Sequence, residues 1–337
     1  MRTALKEEVG YKDRRILIAG GAGLIGSELT RQISAQGAAC TVLDNFSSGR
    51  VQYVDGLRRL TIIKGDIRNE EDIKRAMKDQ EVVFNLVALP FIPDSYKIPE
   101  NFVLTNIVGA VNLLRVLASS RSVGSYVHVS SSEVYGNARY VPMDENHPTF
   151  PQSTYAVTKL AAERLAFTMH KEHGFPCVIL RPFNSYGPHY TQPYIVPEII
   201  CQLLASTGEV RLGNVDSTRD FTYVEDTAKG ISLAGLKGNW GGDVINLGSG
   251  HDISIRQLVQ NISQIMGKKG KIVQDRRRLR PLDVERLVAS AEKARELLGW
   301  APRISLEEGL RKTIDWYIHN IESLPLGAAM SRVNTVS

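Results

Sequence analysis

Cysteine is scarce in this chain of 337 residues: Cys40, Cys177 and Cys201 stand far apart, two of them in apolar runs. Neither a disulfide framework nor the paired spacing of a metal site is available, no metal is expected, and such usage fits a reducing cytoplasm. Long apolar runs are also missing. The stretch from Met1 to Arg15 is charged and lacks the apolar centre of a secretion signal, and no run reaches the roughly 20 residues that a bilayer-spanning helix needs. The formal charge is +5, yet only Arg276-Arg277-Arg278 forms a tight basic run. Basic residues spread so evenly do not ask for a nucleic acid, and an anionic small-molecule substrate explains them as well. There are no internal repeats and no low-complexity segment. What remains is 43% hydrophobic and 23% charged, ordinary for a globular chain with one large or two coupled domains. A cytoplasmic enzyme or binding protein is the starting expectation, with no membrane association.

The first patterned segment is Arg15-Ile16-Leu17-Ile18-Ala19, a short apolar strand running into Gly20-Gly21-Ala22-Gly23-Leu24-Ile25-Gly26. A helical pattern follows through Leu29 and Ile33 to Gly37, and a second strand, Cys40 to Leu43, ends on Asp44. In this strand–turn–helix–strand setting the glycines allow close approach of a pyrophosphate, which the helix N-terminus attracts. Asp44 stands where a carboxylate accepts both hydroxyls of an adenosine ribose, which favours NAD over NADP. The alternation continues with Leu60–Ile63 leading to Gly65-Asp66-Ile67, a strand over Val82–Val87, a helix over Asn101–Leu117 and a strand over Tyr126–Val129. Asp66 suits an adenine amino group or, equally, the N-cap of the helix at Glu70-Glu71. Strands separated by helices predict an α/β fold with a Rossmann-type, doubly wound parallel sheet.

Chemistry concentrates between Val129 and Lys159. Ser130-Ser131-Ser132-Glu133 follows the apolar strand and so falls at a strand's C-terminal end, where open α/β sheets bind ligands. Farther on, Tyr155 and Lys159 sit four apart at the start of a helix and share a face. A tyrosine working as a base near neutrality must drop by about three pH units, ~4 kcal/mol of differential stabilisation, which Lys159 and a cationic nicotinamide could supply together. A Tyr-x-x-x-Lys spacing alone is commonly no more than a solvated lysine beside a half-buried tyrosine, so the assignment rests on its company. Beyond the strand Pro176–Arg181 the pattern loosens, with Pro188, Pro193 and Pro197 and a helix over Val196–Leu204. The expected division is a cofactor domain over 13–184, a smaller substrate lobe over 185–321, and a flexible tail over 322–337. The two are interleaved, with the chain returning to the sheet within 220–250, near Thr222-Tyr223-Val224 and Val244–Leu247.

Taken together, Gly20/Gly23/Gly26, Asp44, Gly65-Asp66-Ile67, Tyr155/Lys159, Arg181-Pro182-Phe183-Asn184-Ser185-Tyr186-Gly187-Pro188, Arg219–Asp226 and Arg280-Pro281-Leu282-Asp283 resemble the extended short-chain dehydrogenase/reductase family, in its nucleotide-sugar epimerase/dehydratase branch. The resemblance runs in order from about Arg15 to Ile318. It implies NAD held by Gly20, Gly23, Leu24, Ile25, Gly26, Asp44, Asn45, Asp66 and Ile67. Leu86, Ala88, Asn106, Val129, Tyr155, Lys159 and Pro182 complete that set. It further implies Ser131 as the hydroxyl sharing the sugar's 4-oxygen with Tyr155. Ser95 is matched to a position facing the sugar, and Asn184, Arg219 and Arg280 to positions gripping the diphosphate or nucleotide. Two phosphates buried between lobes require such charge-assisted donors. The loop Leu89-Pro90-Phe91-Ile92-Pro93 is unusually apolar for this branch and bears on sugar selectivity. A homodimer through the helices beginning near Asn101 and Tyr155 is implied as well.

All members of the branch open by oxidising C4 of the sugar, and Glu133 discriminates between the fates of the ketone. A carboxylate beside that ketone abstracts the acidified C5 proton and promotes loss of the C6 hydroxyl. The 4-epimerases normally lack an acid there. Ser132, also in the implied catalytic set, departs from the dTDP-glucose dehydratases, which carry an aspartate at that position, so the group that protonates the leaving hydroxyl is left open and Glu133 could serve as base and acid both. The expected ranking is 4,6-dehydratase, whose Val129–Gly136 segment resembles enzymes of N-acetylhexosamines, then 4-epimerase, then UDP-glucuronate decarboxylase using Arg286. An NAD-binding regulatory protein is the non-enzyme alternative, disfavoured by an intact Ser131, Tyr155 and Lys159.

Overall fold

The structure, a computed structural model, describes residues 10–205 and 208–324. The expected flexible tail lies outside the described residues from 325 onward, as does most of the charged N-terminal stretch.

The first layer is a seven-stranded parallel sheet. Its strands are Arg15–Ala19 (β1), Ala39–Asp44 (β2), Leu60–Lys64 (β3), Val82–Asn85 (β4), Ser125–Val129 (β5) and Cys177–Pro182 (β6), with one late arrival. After Asn184–Tyr186 (β7), Glu209–Leu212 (β8) and Thr218–Tyr223 (β9), the strand Gly241–Leu247 (β10) closes the edge, giving the order β10-β6-β5-β4-β1-β2-β3. Both faces are covered, so the strands need no alternation of apolar and polar residues. In β1, Ile16 and Ile18 enter one core with Leu29 and Ile33, while Leu17 and Ala19 enter the other with Leu113 and Ile73. The order reverses between β1 and β4, which opens a crevice beyond their C-terminal ends.

The smaller lobe has its own sheet, in which β9 pairs with β7, with Asp252–Ser254 (β11) and with Arg286–Leu287 (β13). A parallel pair of β8 with Lys271–Gln274 (β12) stands beside it. The helices Ile195–Leu204, Ile255–Ile265 and Leu306–His319 cover it around Ile199, Ile200, Leu258, Ile262, Leu310 and Tyr317. Here the expectation of two returns to the large sheet needs correction. Val244–Leu247 does return as part of β10, but Thr222-Tyr223 belongs to the lobe's sheet, because Phe221 and Tyr223 bury into the lobe's core. It is the next helix, Val224–Lys237, that comes back, with Ala228, Ile231 and Ala234 in the core under β4 and β5. Glu292–Leu298 and Trp300 also join the large layer before Leu306–His319 ends in the lobe.

Two further expectations shift. The fourth strand stops at Asn85 rather than Val87, whose amide donates to Asn85 Oδ1 at 3.2 Å and so turns the chain out of the sheet. The helix Pro99–Ala118 is, by length and composition, apolar enough to cross a membrane, against the expectation that no stretch is. Leu113, Leu114 and Leu117 point into the core against Ile73 and Met77, as a covering helix of the sheet would.

Candidate active site

A cavity of about 1140 Å³ lies over the crevice between β1 and β4 and extends into the smaller lobe. Its floor is the glycine turn. Gly20 has φ +79°, and a Cβ on it would stand 2.9 Å from the backbone of Leu86, while one on Gly26 would stand 2.0 Å from Gly20 O. Both positions are closed to any other residue. Gly23 differs, since an added Cβ would meet only Gly20 O at 3.6 Å, with the cavity on its open side. Gly23 is also the N-cap of the helix Leu24–Ala35, whose first turn has neither a capping side chain nor an acidic residue. Unpaired amides and the positive end of a helix dipole facing an open space suit an anion.

Asp44 closes the floor at the end of β2. Its Oδ2 accepts from Ala22 N at 3.0 Å and its Oδ1 from Phe46 N at 2.8 Å, while burial, opposed by these two hydrogen bonds, leaves its carboxyl above the usual aspartate pKa. Asn45 lines the cavity and donates to Asp66 Oδ2 at 3.0 Å. Asp66 itself stays out of the cavity wall: Arg68 grips both its oxygens at 2.9 and 2.7 Å and holds the carboxyl well below its usual range. Nor does Asp66 cap the following helix. Asn69 does, accepting from Glu71 N at 3.0 Å. Ile67, Leu86, Ala88, Val129 and Pro182 all line the cavity, together with Leu24 and Ile25. Asn106 does not. It sits behind the wall, where its Oδ1 accepts from Leu89 N at 2.8 Å and its amide donates to Thr158 Oγ1 at 2.9 Å, fastening the loop after β4.

The reactive groups come from two neighbouring elements. After β5 a 3₁₀ turn, Ser132–Tyr135, is capped by Ser131, whose Oγ accepts from Glu133 N at 3.2 Å. Opposite, the helix Thr154–His173 starts at Ser153, which accepts from Ala156 N at 3.1 Å and sets Tyr155 in the first turn. Ser131, Ser132, Glu133, Tyr155 and Lys159 all line the cavity. Burial pushes the Tyr155 phenol up to about 12; a hydrogen bond with Ser131 opposes this and the charge of Glu133 reinforces it. Burial brings Lys159 down to about 8. Its ammonium donates to Val129 O at 2.6 Å, so in the protein alone the lysine is tied to β5 rather than to the phenol.

On the lobe side, Arg219 is 6% exposed, donates to Thr218 O at 2.9 Å and stands 3.6 Å from Asp283. Arg280 reaches the same carboxylate at 3.8 Å, so a single acid spans two cations on the cavity wall. Asn184 lines the cavity with its buried Oδ1 unpartnered. Ser95 does not reach the cavity. Ile92–Ser95 coils into one helical turn, and the buried hydroxyl donates to Ile92 O at 2.7 Å instead of facing a ligand. Arg286 is also outside, gripped by Asp252 at 2.9 Å. Sequence reasoning missed Tyr96, in the electrostatic field of Arg280, Glu133 and Asp283, and Tyr194, packed edge-on against Phe91 at 6.2 Å. Both line the cavity. The run of aromatics and prolines after Gly187 was the available signal for Tyr194, and nothing local marked Tyr96.

Residues 17–313 match the family model described as GDP-mannose 4,6 dehydratase. UDP-glucuronic acid decarboxylase 1 of Xenopus tropicalis is 32% identical over 92% of this chain and 74% of its own. Among solved structures, the dTDP-glucose 4,6-dehydratase DesIV of Streptomyces venezuelae, solved with NAD bound, superposes with a TM-score of 0.85 at 29% identity, covering 93% of this chain and 99% of that one. The UDP-glucose 4-epimerase of Thermotoga maritima, solved with UDP-glucose, gives a TM-score of 0.83 at 31% identity, covering 91% and 99%.

Proposed function

The chain belongs to the GDP-mannose 4,6-dehydratase family, within the extended short-chain dehydrogenases/reductases that act on nucleotide sugars, and from that premise we propose that it is an NAD-dependent nucleotide-sugar 4,6-dehydratase. The observation that carries this reading is the position of Glu133 in the same cavity as Tyr155, close enough for its charge to act on the phenol.

The residues present fit a dinucleotide. Gly23 and the uncapped helix start would take the pyrophosphate, Asp44 the adenosine ribose, and Lys159 the nicotinamide ribose. When bound, NAD supplies a reversible hydride acceptor and a cationic ring. Tyr155 accepts the C4 hydroxyl proton as C4 is oxidised, with Ser131 sharing the same oxygen. Glu133 then removes the proton from C5, made acidic by the adjacent ketone, and passes a proton to the C6 hydroxyl as its C–O bond breaks. Water leaves, and with the hydride returned to C6 and a solvent-exchangeable proton delivered to C5, balancing the one held by Tyr155, the product would be a 4-keto-6-deoxy sugar. Arg219, Arg280 and Asn184 grip the diphosphate or nucleotide. In this division residues 13–184, with the segments that return within 220–250, hold the cofactor, and the rest of 185–321 chiefly the substrate.

Incubation with UDP- and GDP-linked hexoses and N-acetylhexosamines in deuterated water tests the reading. Solvent deuterium at C5 and a 4-keto-6-deoxy product are expected, whereas an unlabelled C4-inverted sugar overturns it in favour of a 4-epimerase. That second reading is supported by the likeness to the Thermotoga maritima enzyme. A decarboxylase finds less support, since Arg286 is engaged by Asp252 away from the cavity. We also propose a cytoplasmic homodimer, supported by the exposed Val103, Leu104 and Val108 on the helix Pro99–Ala118 and Val157 on the neighbouring helix. Sedimentation showing monomer alone removes the dimer.

A further inference from the structure

Behind the cavity the helix of Tyr155 and Lys159 continues into a chain of buried polar groups, Glu163, Arg181, Tyr135 and Asn246, that the mechanism above leaves unused. Tyr155, Lys159 and Glu163 succeed one another at four-residue intervals and so share one face of the helix Thr154–His173. Glu163 is fully buried and binds Arg181 of β6 through both its oxygens. The Arg181 guanidinium lies over the ring of Tyr135, 4.6 Å from its centre. Tyr135 is also fully buried, and its hydroxyl donates to Asn246 Oδ1 of β10 at 2.7 Å. The peptide just beyond Tyr135 is pinned as well, because a Cβ on Gly136 would stand 2.0 Å from Phe150 O.

The important fact is which turn Tyr135 belongs to. It ends the four-residue 3₁₀ turn that also carries Glu133. We infer that Tyr135 is a positioning residue: held against Arg181 and Glu163, it fixes the turn of Glu133 relative to the helix of Tyr155 and Lys159. The inference rests on the dehydratase reading, because only a reaction that needs both groups at once demands that register. Stability alone does not account for the arrangement. A buried ion pair contributes little net, and apolar side chains of the same volume would serve the core as well. A cation stacked on a ring and forked onto a carboxylate instead has one favoured geometry. Displacement of a reacting group by about 1 Å costs up to ~100-fold in rate, so a turn of four residues needs such an anchor.

The test separates the two halves of the reaction by rapid mixing of the NAD-loaded enzyme with substrate in deuterated water. Appearance of reduced nicotinamide reports C4 oxidation, which needs Tyr155. Its disappearance, with deuterium entering C5, reports elimination and hydride return, which need Glu133. For Tyr135→Leu the first phase is expected to stay within ~3-fold of the parent and the second to slow by ~10- to 100-fold. Tyr135→Phe keeps the ring over Arg181 and is expected to restore the second phase to within ~3-fold. Should Tyr135→Leu fail to fold, Arg181→Lys decides, since it keeps a cation beside Glu163 but loses the planar stack, and it is expected to slow the second phase selectively. Both phases falling in parallel, or neither changing, in whichever variant folds overturns the positioning role. Absence of C5 deuterium in the parent enzyme instead overturns the dehydratase reading on which it rests.

Discussion

The two walls of the cavity are built by different means. The floor under the cofactor comes from consecutive residues, Ile16 to Asp44, and most of what it offers is backbone: a glycine turn, an uncapped helix start, and a carboxylate braced by Ala22 N and Phe46 N. The wall facing the substrate is assembled from segments far apart in sequence, with Asn184, Arg219, Arg280 and Asp283 brought together by the pairing of β9 with β7 and β13. Backbone geometry tolerates almost no substitution, whereas a wall of long side chains can be retuned one residue at a time. The first suits a ligand that stays the same, and the second a ligand that varies among relatives.

Mutations can break this contrast or sharpen it. The largest effect is expected from Tyr155→Phe, which removes the proton acceptor and leaves both walls intact. Turnover should fall by about 10³-fold while NAD content, read by absorbance after denaturation, stays at the parent level. Gly26→Ala should damage the floor alone. A methyl 2.0 Å from Gly20 O forces the turn open, and we expect NAD to be lost and thermal stability to fall by about 1–3 kcal/mol. If Gly26→Ala retains NAD, the floor is more pliable than its geometry indicates. Arg219→Met should damage the other wall, raising KM for a nucleotide sugar by ~10- to 100-fold with NAD content unchanged, as loss of a charge-assisted contact of about 1.5–3 kcal/mol requires.

The last effect, read in stability alone with no change of ligand, concerns the lysine between the walls. Lys159 falls to about 8 in the folded chain from 10.5 in the unfolded one, so between those values the unfolded state holds a proton that the folded state has released. Stability from this group therefore rises with pH across that window, by no more than roughly 3 kcal/mol. Because burial raises Cys40, Cys177 and Cys201 to about 12 and so opposes this slope above pH 9, denaturant titrations from pH 8 to 10 should show it as the difference between the parent and Lys159→Met, the parent gaining on the variant as pH rises. An unchanged slope would mean that Lys159 titrates alike in both states.

Legibility in the sequence divides along the same line. The strand–turn–helix–strand unit and the Tyr155/Lys159 spacing depend on neighbours within a few turns, and the cavity brings them together as the pattern implied. The misplacements arise where a residue's partner lies outside its own segment. Asp66 meets Asn45 from the end of β2, Asn106 fastens Leu89, and Thr222-Tyr223 pair in another sheet. Ser95 is kept from the cavity for a local reason, because Ile92–Ser95 coils for one turn and satisfies the hydroxyl within it. Tyr96 and the bridging role of Asp283 appear only once the lobes are packed.

The repeated crossings of the chain between its two layers have a practical meaning. Because β10 and the helix Val224–Lys237 lie downstream of lobe segments, cutting the gene at residue 184 would strip the large sheet of its edge strand and of a covering helix, and the downstream fragment would carry those pieces with nothing to rest on. Neither half could be produced alone or exchanged as a cassette with a relative. New specificity in such a chain has to come by point changes in the wall, since whole-module shuffling is closed to it.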